Sequence, residues 1–173
     1  MPTAEELLYG SGVLTGTKPG VCVPEDAGWL RKRNGYVVIE CPQRIPCNPC
    51  HTSCPTGAVL PFEDINDVPR VDYSKCTGCT RCVARCPGLA CFVVDLAWKE
   101  GWALMKLPYE MLPRPAKGME ADCLDRQGNA VYRSRIEQVL EPFKDSTYVV
   151  AIPVPAELKD KVRAVRVVSS DGR

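Results

Sequence analysis

The stretch Cys76-Thr77-Gly78-Cys79-Thr80-Arg81-Cys82-Val83-Ala84-Arg85-Cys86-Pro87 spaces four cysteines as C-x2-C-x2-C-x3-C and ends on a proline. It lies in a dense patch, because nine of the eleven cysteines fall between Cys41 and Cys91. A disulfide framework needs an oxidising compartment. Here the number is odd, and the cysteines are too close and too patterned for a spread of staples. Metal or cluster ligation is the better reading.

Moving outward, the patch repeats itself with an offset of 32 residues. Cys47, Cys50, Cys54 and Pro55 align with Cys79, Cys82, Cys86 and Pro87. Ile39-Glu40 aligns with Val71-Asp72, Ala58 with Ala90, and Val59 with Cys91. Each half reads as strand, cysteine loop, short helix and strand, and two such halves packed about a pseudo-twofold would enclose the thiols between them. Three regions follow. Residues 1–35 are an extended N-terminal arm, rich in Gly and Pro, with a short helix at 4–8. Residues 36–95 hold the cysteine motifs and are entered through a turn at Asn34-Gly35 and the strand Tyr36–Glu40. Residues 96–173 carry one cysteine, Cys123, and read as strands at 102–107, 118–124, 130–136, 147–154 and 162–168. Asp125-Arg126-Gln127-Gly128-Asn129 is a hairpin turn, and 156–161 a turn or short helix. From 149 to 154 both alternating sets of side chains are apolar, so this strand is expected to be buried on both faces.

The second motif resembles that of bacterial two-cluster ferredoxins without departure. The resemblance covers roughly a third of the chain, from Tyr36 to Asp95. It implies an α+β fold: a ferredoxin-like two-cluster domain with a pseudo-twofold repeat, to which a small β-rich C-terminal domain is added. In that family the first three cysteines bind one cubane and the fourth binds the other. A tight loop brings three thiolates to three irons and turns backbone N–H groups towards the sulfides. The x3 step carries the chain into a helix that points the last thiolate away. The proline supplies a fixed backbone angle and no donor. The first motif departs from this pattern. In Cys41-Pro42-Gln43-Arg44-Ile45-Pro46-Cys47-Asn48-Pro49-Cys50-His51-Thr52-Ser53-Cys54-Pro55, Arg44 stands where the first cysteine is due, and Cys41 lies three residues earlier. Cys41 is expected to take the missing role through an enlarged loop stiffened by Pro42 and Pro46. By carry-over the resemblance implies one [4Fe-4S] cluster on Cys41, Cys47, Cys50 and Cys86, and a second on Cys54, Cys76, Cys79 and Cys82. Without Cys41 the first site has three ligands, suited to a [3Fe-4S] cluster or a four-iron cluster with an open position, unless Cys22 or Cys123 substitutes.

Rival readings of the same residues are weaker. Two C-x2-C pairs suit zinc, but a zinc ribbon needs no x3-Cys-Pro step. The C-x3-C-x2-C of a radical enzyme fails at Gly57 and at Leu89. Cys91, aligned with Val59, is expected to fill an apolar position, and Cys22 and Cys123 to be free core thiols. His51, the one histidine, either donates to a cluster sulfide or stands idle at the surface. Arg44, Arg81 and Arg85 either offset cluster charge or dock an acidic partner, or they are simply a solvated face. Trp29, Trp98 and Trp102 read as core or interface anchors. The glycines at 10–12 and 16–20 lack the strand-then-helix setting of a nucleotide loop. A Ser/His/Asp triad could only be built on His51, inside a cluster loop.

The net charge of +1 favours neither nucleic acid nor a membrane surface. The most apolar stretches, 91–98 and 148–154, are too short to span a bilayer, and the acidic N-terminus lacks a signal-peptide pattern. A soluble, cytoplasmic chain is expected. Free ferredoxin shuttles are usually small and acidic, and this chain is neither. Its size and layout look similar to the ferredoxin-like small subunits of multi-subunit flavin dehydrogenases of amino acids and amines. The resemblance therefore implies an iron–sulfur electron-transfer subunit, relaying single electrons through two [4Fe-4S] clusters within a hetero-oligomer that contains flavoprotein dehydrogenase subunits. The alternative is a free soluble shuttle. No catalytic side chain is expected, because the chemistry belongs to the clusters.

Overall fold

The computed structural model describes residue 10 and residues 21–25, 27–31, 34–144 and 147–168. The helix expected at 4–8, and most of the expected arm, lie outside the described residues. What the arm contributes within them is a two-residue strand, β1 (Val21–Cys22), and a single helical turn, α1 (Ala27–Leu30). Asn34 and Gly35 both take positive φ, 66° and 83°, and turn the chain into β2 (Tyr36–Glu40). The cysteine region supplies two short helices, α2 (Pro49–Thr52) and α3 (Arg81–Arg85), and then β3 (Cys91–Lys99). The rest is strand: β4 (Trp102–Tyr109), β5 (Glu120–Leu124), β6 (Ala130–Arg135), β7 (Gln138–Leu140), β8 (Tyr148–Pro155) and β9 (Ala164–Val167). A 3-10 turn at Ala156–Leu158 separates the last two. The protein is thus mixed, mostly strands with few helices. Among the described residues no helix is long and apolar enough to cross a membrane.

The strands form two sheets. One has six strands in the order β1-β2-β3-β4-β8-β7, and the other three in the order β6-β5-β9. All pairings are antiparallel. The six-stranded sheet runs through the boundary expected near residue 95, because β3 pairs with β2 on one side and β4 on the other. Side chains alternate across a strand, and here both alternations are apolar. Tyr36, Val38, Phe92, Val94, Met105, Leu107, Val150 and Ile152 share a core with Ala121, Cys123, Val165 and Val167 of the small sheet. Val37, Ile39, Cys91, Val93 and Val149 turn the other way, onto Ala58, Val59, Val83, Ala84, Cys76 and Cys82. The large sheet is therefore the middle layer, with the small sheet on one face and the cysteine loops on the other. The middle-layer position explains why β8 lacks a polar face.

The 32-residue offset carries Ile39 onto Val71 and Val59 onto Cys91. In the structure Ile39 pairs with Cys91, and Val59 forms an isolated bridge with Val71. The pairing in the first case is part of a continuous ladder; in the second it is a bridge only. The hairpin turn at 125–129 forms as expected, with the Asp125 carboxylate accepting the N–H groups of Gln127 and Asn129, both at 2.9 Å. Strand β7, three residues long, was not readable from the sequence pattern.

One ion cluster ties the small sheet to the large one. Glu40, at the end of β2, is bound by Arg163 at 3.0 Å and by Arg126, with side chains only 13 %, 13 % and 28 % exposed. Arg163 also lies 4.7 Å over the Phe92 ring. Burial pulls the Arg163 pKa down, and Glu40 works against that pull. Removing one member of a buried ion cluster strands the others. Glu40→Ala should therefore cost about 3 kcal/mol in anaerobic chemical denaturation. Glu120→Ala, which breaks an exposed pair with Arg135, should cost under about 1 kcal/mol. Equal losses for the two variants would refute this role for Glu40.

Candidate metal centre

The first cysteine loop begins where β2 ends, so Cys41 emerges directly from a strand held on both edges. Residues 43–46 then bulge into solvent. Arg44, at the position where the repeat calls for a cysteine, is exposed and bridges to Asp67 at 3.0 Å. Cys47 is pinned by its N–H to the Ile65 carbonyl at 3.2 Å. Pro49 then starts α2, where its missing donor costs nothing. Cys50 rides on that turn, and Cys54 follows it.

The second loop is built on two left-handed residues. Gly78 has φ 63° and Thr80 φ 66°, on either side of Cys79. A Cβ on Gly78 would stand 2.2 Å from the Asn34 carbonyl oxygen and 2.8 Å from that of Gly35, so the loop lies flat on the turn before β2. Helix α3 follows, with Cys82, Val83 and Ala84 buried. It ends at Cys86, which is extended at φ −76° and ψ 111°. Pro87 is the reason, since the residue before a proline avoids the helical region.

These loops bring Cys41, Cys47, Cys50 and Cys86 to the wall of one cavity, together with Ile39, Phe62 and Cys91. The Cys41 thiol is pushed up by burial and by repulsion from Cys86 and Cys47. Cys47 is pushed up by burial and by Cys86. Cys50 is driven to about 12, by burial first and then by Cys86 and Cys82. Cys86 moves the other way, to about 6, because the Cys91 thiol bonds to it and the N–H of Ala90 donates to its sulfur at 3.3 Å. In the second set Cys76 and Cys82 are buried, Cys54 is half-buried and Cys79 is exposed. Cys54 and Cys82 are close enough to repel. Burial alone would raise the Cys54 thiol, but N–H groups of Val59, Thr56 and Ala58 and the Thr56 hydroxyl outweigh it, and the thiol falls. Cys76 and Cys79 both act on the ammonium of Lys106.

None of the eleven cysteines is joined in a disulfide. Among the described residues no three His, Cys, Asp or Glu side chains converge on a single-ion site. The first four thiols surround a space instead of a point. Thiolates crowded and buried in this way repel one another unless cations stand between them, and iron supplies such cations in a thiolate-held cluster. The Ser53 hydroxyl, next to Cys54, is buried without a hydrogen-bond partner among the described residues. A buried hydroxyl wants an acceptor, and cluster sulfur offers one. The residues present fit an iron–sulfur cluster.

The other candidates fall as follows. Nδ1 of His51 donates to the Val59 carbonyl at 2.8 Å, and its ring lies 6.2 Å from that of Phe62, so this histidine ties α2 to the bridge at Val59. Arg81 and Arg85 stack on the Phe143 ring at 4.3 and 4.1 Å. The Cys22 thiol donates to the Pro69 carbonyl at 3.1 Å, and Cys123 is fully buried in the small sheet. Cys91 is buried as expected, and its thiol lies near those of Cys82 and Cys86, whose pKa values fall against it while its own is raised. The sequence offered one signal of this, a sulfur where the repeat has Val59. Lys106 gave none, being one lysine in an apolar strand.

The family profile described as the 4Fe-4S dicluster domain matches residues 40–90. The chain is 41 % identical over 64 residues to the thiosulfate reductase electron transfer subunit PhsB of Salmonella typhi, a match that takes in 37 % of this chain and 32 % of that protein. It is 34 % identical over 71 residues to the pyruvate synthase subunit PorD of Methanocaldococcus jannaschii, across 40 % of this chain and 77 % of that protein. No solved structure matches. Because Gly78 has no room for a Cβ, Gly78→Ala should displace the loop carrying Cys76 and Cys79. Anaerobic reconstitution of that variant should take up clearly less iron per chain than the parent, counted with sulfide on the same samples. Gly88→Ala, where a Cβ meets open space, should take up as much as the parent. Full iron uptake by Gly78→Ala would show that this contact does not shape the site.

Proposed function

The chain belongs to the 4Fe-4S dicluster family, and from that premise we propose that it is an electron-transfer subunit of a multi-subunit oxidoreductase. In this reading it holds two [4Fe-4S] clusters, one on Cys41, Cys47, Cys50 and Cys86 and the other on Cys54, Cys76, Cys79 and Cys82. Bound there, such clusters take up and release single electrons. The carrying observation is that Cys86, from the second motif, stands at the cavity lined by the cysteines of the first. One short helix then serves both sites, with Cys82 on it and Cys86 at its end. The protein's own work is to hold the thiolates and exclude water. The apolar face of Val37, Ile39, Val93 and Val149 does the latter. The exposed Cys79 gives the second site an edge at the surface. The exchange of pairing partners between Ile39–Cys91 and Val71–Val59 supports a pseudo-twofold relation of the halves.

The relatives' names, an electron transfer subunit and a pyruvate synthase subunit, support the subunit role. Neither is the name of a flavin-dependent amino-acid or amine dehydrogenase. A flavoprotein partner is therefore the narrower part of the proposal and rests on size and layout alone.

Anaerobic pull-down of the tagged chain from its native cells tests both parts. The subunit reading expects about eight irons per chain with matching sulfide, together with stoichiometric oxidoreductase partners, and flavin in the eluate would identify a flavoprotein among them. A lone chain with the same iron would favour the free shuttle, and zinc without sulfide would overturn the cluster reading. Cys41→Ser should remove one cluster or convert it to the three-iron form, seen by EPR. An unchanged spectrum would exclude Cys41 as a ligand.

A further inference from the structure

The β-rich part of the chain places one cation against the cysteine loops. Lys106 lies on β4, paired with Val93 on one side and Ala151 on the other. Cross-strand partners share a face, and Val93 belongs to the face that packs on the cysteine loops. Lys106 is thus a half-buried cation between two apolar neighbours. Its ammonium donates to the Asn34 carbonyl at 2.8 Å. That same carbonyl oxygen is the atom on which Gly78 rests, 2.2 Å from where its Cβ would be. Asn34, Gly78, Cys79 and Lys106 line one groove. Burial pulls the ammonium's pKa down, while Asp95, Cys79 and Cys76 push it back up.

We propose that Lys106 raises the reduction potential of the cluster held by Cys54, Cys76, Cys79 and Cys82, and leaves the other cluster alone. The inference rests on the two-cluster reading above. Reduction adds one electron to the cluster, and a fixed positive charge beside it favours the reduced form. Potentials in such sites follow local charge, hydrogen bonds to sulfur and solvent exposure. Half-burial limits the screening that salt would exert on an exposed lysine. The sites differ in this respect. Lys106 lines one groove with Gly78 and Cys79, whereas the cavity walled by Cys41, Cys47, Cys50 and Cys86 does not include it.

The test is an EPR-monitored redox titration of the reconstituted full chain, with iron and sulfide counted on the same samples. Lys106→Met keeps the length and suits the apolar neighbours, so the strand should hold. One cluster's midpoint potential should move down and the other stay in place. Lys106→Arg, which keeps the charge, should stay near the parent. In a Cys41→Ser background, where the first cluster is lost or altered, the downward shift on adding Lys106→Met should persist. Two unmoved potentials in Lys106→Met, or an equal shift in Lys106→Arg, would overturn the proposal. So would iron missing from Lys106→Met alone, since the side chain would then hold the loop and not set a potential. A parent chain that takes up no iron and sulfide would refute the two-cluster reading itself, and this inference with it.

Discussion

The site depends on one change of direction at the end of α3. Cys82 lies inside that helix and is buried, close to Cys54. Cys86 comes four residues later and would point the same way if the helix continued. Pro87 prevents that, because it forces the residue before it out of the helical region, and Cys86 is indeed extended. Its thiol joins Cys41, Cys47 and Cys50 instead. The two sets of thiols are thereby linked through the five residues of one helix.

A helix that short has no stability of its own. What fixes it is the sheet beneath. Val83 is fully buried against the face formed by Val37, Ile39 and Val93. The reverse of that sheet is covered by the small sheet. The C-terminal strands therefore act on the cysteine region through the middle layer. They also act directly. Phe143 lies beneath Arg81 and Arg85 of α3, and Lys106 reaches the turn on which Gly78 rests.

Much of this was legible in the sequence. The repeat marked the cysteines to be compared, and alternation with turn residues placed β2, β4, β5, β6, β8 and β9 to within a few residues. Doubly apolar alternation identified β8 as a buried strand. Other features were not legible, for physical reasons. A three-residue edge strand such as β7 has no period to detect. The continuity of β3 into β4 depends on pairing across the expected boundary, which is a property of register and not of composition. Lys106 and Cys91 matter through what stands next to them in space. The sequence reading put Cys41 forward only as a substitute for the residue missing at Arg44. The reach of its longer loop is not set by spacing, because five residues lie between Cys41 and Cys47 where two lie between Cys76 and Cys79.

The structure gives that longer loop a physical basis. Under the 32-residue offset, Cys41 corresponds to Tyr73 and Arg44 to Cys76. Tyr73 is partly buried against the core, its ring packed edge-on 6.4 Å from that of Tyr36. The first half thus carries a thiol where the second carries an aromatic ring, and residues 43–46 of its longer loop are exposed. Support for the thiol shifts accordingly. In the second half the cysteine is held by a tight loop with left-handed residues at Gly78 and Thr80. In the first half it is held by a strand end, fixed by Ile39 pairing with Cys91 and by Glu40 clamped between Arg126 and Arg163. Both arginines come from the C-terminal region. Cutting the chain after β3 would leave Glu40 without either cation, on the residue next to Cys41. The irregular motif and the added β-rich region therefore form one arrangement, in which the second supplies the anchorage that the first lacks.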